Sequence, residues 1–388
     1  MYLKILISLM LLPTLSLSFM GANIKIYMVF ALVYFFIGVG YMVLKRILIL
    51  EFFAVSVYFI IGLSVFYAEN FGLAMRLLLG QVVLMIAYIV YRTELTKLNL
   101  FQFERLFINV GRIYVLLSLI FYLMGIVGVY FLGVGPSESM YVNEHSWTFY
   151  GAYFERTLPR LMGLSESPNN YLFFTFLFML FFRYKEKKGY EFIALLSLIL
   201  TVSGTALIVL VLYYTFLFIV SKTNLLLKLL LPFSFVVLGR VLYVNVGLVK
   251  DIVDLRVLRL STGSGRYELW DFVTEKISES PLLGYGANQS RLIIESHRGL
   301  NSAHNSFLDM FLTTGVLGFM IYCLLHLSLA ITSLKLSQVY HTEMFVVLYV
   351  FLLLVSMSNN TLHIDYLIFY FGFLFVYLNN RKRRRLVL

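Results

Sequence analysis

From Leu3 to Leu378 the sequence is a near-continuous succession of apolar stretches, most of them long enough to cross a bilayer, separated by short turns. A membrane-crossing helix needs roughly 20 mostly apolar residues, and backbone polar groups in lipid must be satisfied within the chain itself. Such a succession leaves helices packed side by side in a membrane as the expected fold. Composition agrees: 13% of residues are charged and 61% are hydrophobic, against roughly 25% charged in a soluble domain. The 37 Phe and 28 Tyr suit walls that face lipid and rims that sit among headgroups. The one cysteine, Cys323, lies inside an apolar run, so neither an internal disulfide nor a thiolate metal cluster is expected. A net charge of +11 would raise nucleic acid as a partner for a soluble chain. Here most of the basic residues fall in short loops between spans, so no nucleic-acid partner is expected.

Hydropathy places spans near 2–20, 25–44, 47–67, 72–91, 113–134, 169–183, 190–203, 204–220, 226–246, 306–331, 343–358 and 362–379, about twelve in all. The break at Ser203-Gly204 divides a long apolar run into two helices, since Gly204 is a poor helix residue. Lys4 and the apolar run to Met20 resemble a signal peptide, but no clean small-x-small site follows, so an uncleaved first helix is expected. Cytoplasmic loops carry an excess of Lys and Arg. The tail Arg381-Lys382-Arg383-Arg384-Arg385 is therefore assigned to the cytoplasm, together with Lys45-Arg46, Arg92, Lys97, Arg105, Arg112, Arg183, Lys185, Lys187, Lys188, Lys222 and Lys335. The short loops of the opposite side carry little beyond Lys25. The expectation is an all-α polytopic protein, one membrane domain over 1–388, in an inner membrane with both termini cytoplasmic.

Two long segments, 135–168 and 247–305, interrupt this pattern, and the span count puts both on the outer, non-cytoplasmic face. Short amphipathic helices are expected in them. The first ends in Arg160-Leu-Met-Gly163 and Ser167-Pro168-Asn169-Asn170, where Ser167 caps a helix that begins at Pro168. Gly163 allows a tight turn. At this depth the bidentate guanidinium of Arg160 suits a phosphate. In the second loop, Ser264-Gly265-Arg266 leads into Trp270, Val273 and Ile277 at i, i+3 and i+7, an amphipathic helix on the membrane surface that Pro281 ends. Trp270 reads as an interfacial anchor or as a platform for a sugar. The loop closes with His304-Asn305 at a helix entry. A histidine there is either a capping or hydrogen-bonding group or a base for an acceptor hydroxyl. His297, in the same loop, is its rival. Arg156 and Arg291 are further basic residues of these loops, and their carboxylate neighbours make a solvated surface the plainer reading.

Taken in order, Arg160-x-x-Gly163-x-x-x-x-Pro168-Asn169, Ser264-Gly265-Arg266-x-x-x-Trp270, Pro281-Leu-Leu-Gly284-Tyr-Gly286, and His304-Asn305 before Gly315-x-x-Gly318 resemble the O-antigen polymerase and O-antigen ligase superfamily of bacterial envelope enzymes. The resemblance implies a largely helical glycosyltransferase of the C class that uses neither metal nor cofactor. Its donor would be a glycan on undecaprenyl pyrophosphate in a lipid membrane, and a chain-length regulator protein is a possible partner in such systems. The resemblance gives Arg160 and Arg266 the pyrophosphate, and His304 the acceptor hydroxyl. Arg76, Arg156, Arg291, Asn305 and Trp270 are further candidates for substrate contacts. The sequence departs from the pattern at Ser203-Gly204-Thr205, where many relatives carry Ser-Arg. Arg76 in the fourth span either replaces that cation or serves a local role, snorkelling to headgroups or pairing with Asp309 or Asp365. The expected activity is a polymerase, with ligase as the alternative and a polysaccharide flippase behind both.

Overall fold

The computed structural model describes residues 2–11, 16–19, 22–38, 47–127, 146–149, 151–155, 158–221, 240–241, 243–247, 250, 253–254, 266–298, 302–359 and 365–385. Its helices are α1 (Tyr2–Met10), α2 (Ile26–Gly38), α3 (Ile49–Leu63, continued by a 3₁₀ turn Ser64–Tyr67), α4 (Phe71–Leu95) and α5 (Leu100–Val127). After these come α6 (Pro168–Tyr184), α7 (Lys188–Leu200), α8 (Gly204–Val220), α9 (Arg266–Glu279) and α10 (Gln289–Arg298). The last three are α11 (Ser306–Tyr340), α12 (Met344–Ser356) and α13 (Asp365–Arg385). Among the described residues four segments, Ile49–Tyr67, Phe71–Leu95, Leu100–Val127 and Ser306–Tyr340, are long and apolar enough to cross a membrane, and Ile26–Gly38, Gly204–Ile219, Met344–Ser356 and Tyr366–Asn380 are shorter apolar helices. The chain is thus a mostly helical polytopic membrane protein.

Alternating chain direction gives the bundle two ends. At one, which we term the site end, α6, α8 and α11 begin and α3, α7 and α12 finish. Ser203 Oγ there donates to Asn169 Oδ1 (2.8 Å), and Ser306 Oγ donates to the Asn359 carbonyl (2.9 Å). Lys25, the basic exception among the short loops, pairs with Glu166 (3.2 Å) at the same end. At the far end Lys185 pairs with Glu104 (2.6 Å), and Arg92 meets Glu51 (2.6 Å) in a buried pair that also receives the Tyr88 hydroxyl (2.5 Å). The Glu51 charge, isolated in the sequence, is therefore neutralised by packing.

Every residue from Tyr171 to Phe182 in α6 and from Tyr366 to Tyr377 in α13 is buried. A helix that is apolar all round belongs inside a bundle, and these two form its centre. The rings of Phe107, Phe178, Phe369 and Phe373 meet there, with Phe107 lying 5.0, 5.4 and 5.2 Å from the other three. Phe176 stacks on Phe351 at 4.4 Å. Such pairs contribute about 0.5–1.5 kcal/mol each beyond area burial. This corrects the expectation that the aromatics mainly face lipid and headgroups: many of them fill the interior, where helix association rests on packing.

Three further expectations change. The first span does not run from 2 to 20. α1 ends at Met10, three residues before Pro13, which removes a helix donor, and Ser16–Phe19 (β1) pairs antiparallel with Ala22–Lys25 (β2). Among its described residues the first long loop contributes strands and no amphipathic helix: Ser146–Phe149 (β3), Ala152–Glu155 (β4) and Leu158–Leu161 (β5) form an antiparallel sheet. The fifth helix begins at Leu100, well before the expected 113. The break at Ser203-Gly204 does divide α7 from α8. Most of the span expected at 226–246 lies outside the described residues, as do Arg156, Ser264 and Gly265.

Candidate active site

The Arg160 region is built from α5 outwards. Gly163 takes a left-handed φ of 61°, and a β-carbon there would lie 2.6 Å from that of Ser118. The turn therefore presses on α5, with the Leu164 amide donating to Ser118 Oγ (3.3 Å) and Tyr114 sharing a hydrogen bond with Ser165 (2.8 Å). Ser167 caps α6 by accepting from the Asn170 amide (3.1 Å), with Pro168 in the first turn. Arg160, on β5 opposite Tyr153, is buried; its guanidinium lies 5.5 Å from the Tyr153 ring and its Nε donates to the Thr201 carbonyl (3.0 Å). Thr201 follows the last turn of α7, where free carbonyls and the helix dipole favour a cation. Arg160 is thus fixed at the α7–α8 junction, the place where the sequence lacks an arginine of its own.

The second loop packs on the start of α11. Leu269, Val273 and Ile277 of α9 form a small core with Ile294, Ala303 and Leu312. The apolar face of α9 is therefore taken up by protein. Trp270 Nε1 donates to the Ala303 carbonyl (2.9 Å), so this indole holds the loop that carries His304. Asp309, buried in the first turn of α11, accepts the Ala303 amide (3.0 Å). Asn305 caps α11, its Oδ1 accepting from Phe307 (3.0 Å) and Leu308 (3.3 Å). Between these fixed points His304 sits at a φ of 50°, a conformation that costs a non-glycine residue about 1–2 kcal/mol.

Below this corner α11 is broken. Gly315 has φ 67° and ψ −164°, a region open in practice to glycine alone. The break frees backbone groups, and the Pro281–Gly286 segment satisfies them. Tyr285 and Gly286 amides donate to the Leu312 (2.8 Å) and Thr313 (2.9 Å) carbonyls, and the Val316 amide donates to Pro281 (2.9 Å). A β-carbon on Gly315 would run into the Leu282 carbonyl, and one on Gly284 would lie 2.6 Å from the Leu312 oxygen. The two glycine-bearing motifs are halves of one joint.

The structure brings Arg266 and His304 together. Burial lowers the pKa of His304 below its ordinary 6.5, and the charge of Arg266 lowers it further. Burial also lowers Arg266 from its ordinary value, although a guanidinium remains charged throughout the physiological range. The arrangement is an imidazole biased toward its neutral form beside a half-buried cation, at the bundle end where Arg160 lies. Other candidates fall elsewhere. Arg76 is exposed on α4, with no ion pair among the described residues, while Asp309 is engaged with Ala303. Arg291 is an exposed residue of α10 beside Glu295 (3.6 Å). His297 stacks on Phe272 at 3.9 Å and is thereby tied to packing between α9 and α10. Sequence reasoning missed Asp309 as the support of the Ala303–His304 corner; its signal was an acid in the first turn of a helix. It also missed the Thr201 carbonyl, which no side-chain pattern announces.

No curated protein matches the chain significantly. Residues 190–323, roughly a third of the sequence, match the family model described as O-antigen ligase. The match spans Arg266, the Pro281–Gly286 segment, His304 and the broken part of α11. Over this stretch the chain is similar to the O-antigen ligase family, in keeping with the resemblance its motifs carry.

Proposed function

We propose that this protein is a surface-polysaccharide polymerase of the inner membrane, moving a glycan from undecaprenyl pyrophosphate onto the next lipid-linked repeat unit at the periplasmic face. The observation that carries this reading is the pairing of a neutral, partly buried His304 with the Arg266 cation inside the family-matched stretch. Transfer forms a bond between an acceptor hydroxyl oxygen and the anomeric carbon, and breaks the bond from that carbon to the pyrophosphate. His304, held neutral, takes the hydroxyl proton as the new bond forms. The pyrophosphate leaves with its electron pair and gains charge, and Arg266 and Arg160 supply fixed positive charge where it develops. Trp270, Asp309 and Asn305 hold His304 in place. No metal enters this scheme, and the helical bundle is of the C-class glycosyltransferase type.

The family model's description supports a second reading, ligase, in which the finished polymer is handed to the lipid A core. A deletion strain separates the two on a lipopolysaccharide gel. Loss of the polymerase leaves lipid A core capped by a single repeat; loss of a ligase leaves bare core with polymer retained on its carrier. Bare core would reject the polymerase reading.

A further inference from the structure

At the far end of the bundle a recess of about 570 Å³ lies between the start of α5 and the turn joining α6 to α7. Arg105, Asn109 and Arg112 present one polar stripe of α5 at i, i+4 and i+7 to it, and Lys185 and Lys187 face them from the turn. The carboxylate in the lining, Glu104, is engaged by Lys185 (2.6 Å) and by the Tyr377 hydroxyl (3.0 Å). Among the described residues no carboxylate pairs with Arg105, Arg112 or Lys187. Arg112 lies over the Tyr190 ring at 4.2 Å, and its Nε is sealed from water without an acceptor among the described residues. A second cavity, of about 520 Å³, continues past Arg105 and Asn109 to Lys4. The recess is amphipathic, because Phe101, 73% exposed, and Ile108 share its lining.

Basic residues at one end of a membrane bundle follow from the positive-inside rule. That rule does not account for cations converging on a concavity, nor for a buried guanidinium nitrogen left without an acceptor, which carries a desolvation cost until an anion arrives. We propose that this recess binds a phosphate-bearing anion, specifically the headgroup of an anionic glycerophospholipid. Arg105, Arg112 and Lys187 take the phosphate, and Phe101 and Ile108 flank the first methylenes of the acyl chains. Basic pockets between membrane helices bind anionic headgroups in this manner. The site lies at the opposite end of the bundle from Arg266 and His304 and is independent of the transfer reaction.

The test uses the full-length protein in neutral detergent, with lipid retention read by native mass spectrometry and stability by thermal denaturation. Phosphatidylglycerol should be retained and stabilise the protein, and phosphatidylcholine should do neither. The double variant R105Q/R112Q should bind phosphatidylglycerol about thirtyfold more weakly, the loss of two basic contacts at a membrane surface, whereas R291Q at the other end should bind as the wild type does. Equal retention of the two lipids, or equal phosphatidylglycerol binding by wild type and R105Q/R112Q, would overturn the proposal. Inorganic phosphate forms a separate arm. Stabilisation by it with the same dependence on Arg105 and Arg112 supports the anion site but assigns it to soluble phosphate. If the double variant does not insert, the wild type alone decides: retention of phosphatidylglycerol should fall as salt rises, and salt-independent retention contradicts the site.

Discussion

In the proposed mechanism His304 carries the greatest chemical weight of any single residue, and its backbone is as constrained as its side chain. A left-handed φ at a histidine persists only where neighbours over-determine it, and here the Trp270 indole, the Asp309 carboxylate and the Asn305 cap do so. Asp309→Ala should lower chain extension about tenfold or more, since a buried amide left unpaired costs about 1–3 kcal/mol. Asp309→Asn keeps an oxygen acceptor and should retain most activity. Chain extension normalised to the amount of protein in the membrane measures both; equal losses would show that charge, and not the hydrogen bond, is what matters. The depressed pKa of His304 also has a definite sign. Burial and the Arg266 charge favour the neutral imidazole, so the proton is gained at a lower pH than by a free histidine. Activity limited by this base should therefore fall on an acid limb centred below pH 6.5, and a limb centred above it would exclude His304 as the base. In the sequence His304 is one histidine among six. Its place beside Asn305 and Gly315 singled it out, whereas the desolvation and the Arg266 charge that tune it belong to the folded chain.

The elements that hold the site follow two different logics. Caps and breaks are local, which is why Ser167-Pro168 and Ser203-Gly204 were legible: both express a residue's own backbone preference. Partner choice is not local. The apolar stripe of α9 reads equally well as a membrane-surface face or a protein-facing one, and only the presence of Ile294, Ala303 and Leu312 decides. The strand carrying Arg160 was hidden for a similar reason, since Leu158–Leu161 is too short to show a period and gains its identity by pairing with β4. The joint between Pro281–Gly286 and the broken α11 is the element whose failure should be most damaging. Gly315→Ala places a β-carbon against the Leu282 carbonyl in a glycine-only conformation, at a cost of about 1–3 kcal/mol for the backbone alone. The variant should denature several degrees below the wild type and be cleaved faster within 281–286 in limited proteolysis. Unchanged behaviour in both assays would mean that α11 runs straight in solution. Trp270→Phe should act more gently, weakening the Ala303 anchor and lowering activity while the bundle stays intact.

At the scale of the whole molecule, the apolar stretches of the sequence specify a polytopic helical bundle, and the ion pairs decide which ends of which helices meet. Arg92, Arg105, Arg112, Lys185 and Lys187 gather at one end, while Arg160, Arg266 and His304 lie at the other, an arrangement that supports cytoplasmic and periplasmic faces respectively. With Cys323 replaced by Ser, a cysteine introduced at Ser278 should react with an impermeant thiol reagent in intact spheroplasts, and one at Leu388 only after permeabilisation. The reverse pattern would invert the topology. What hydropathy leaves open at this scale is which spans are central: α6 and α13 look no different from lipid-facing helices until their aromatic rings interlock. The central claim, that Arg160, Arg266 and His304 form one transfer site, is tested most directly by measuring polysaccharide chain length in a deletion strain complemented with R160K, R266A or H304A, each variant first shown to be present in the membrane. The account predicts that R266A and H304A yield no extension beyond a single repeat and that R160K, which keeps charge but loses the planar guanidinium, yields markedly shorter chains. Wild-type chain lengths from all three would contradict it.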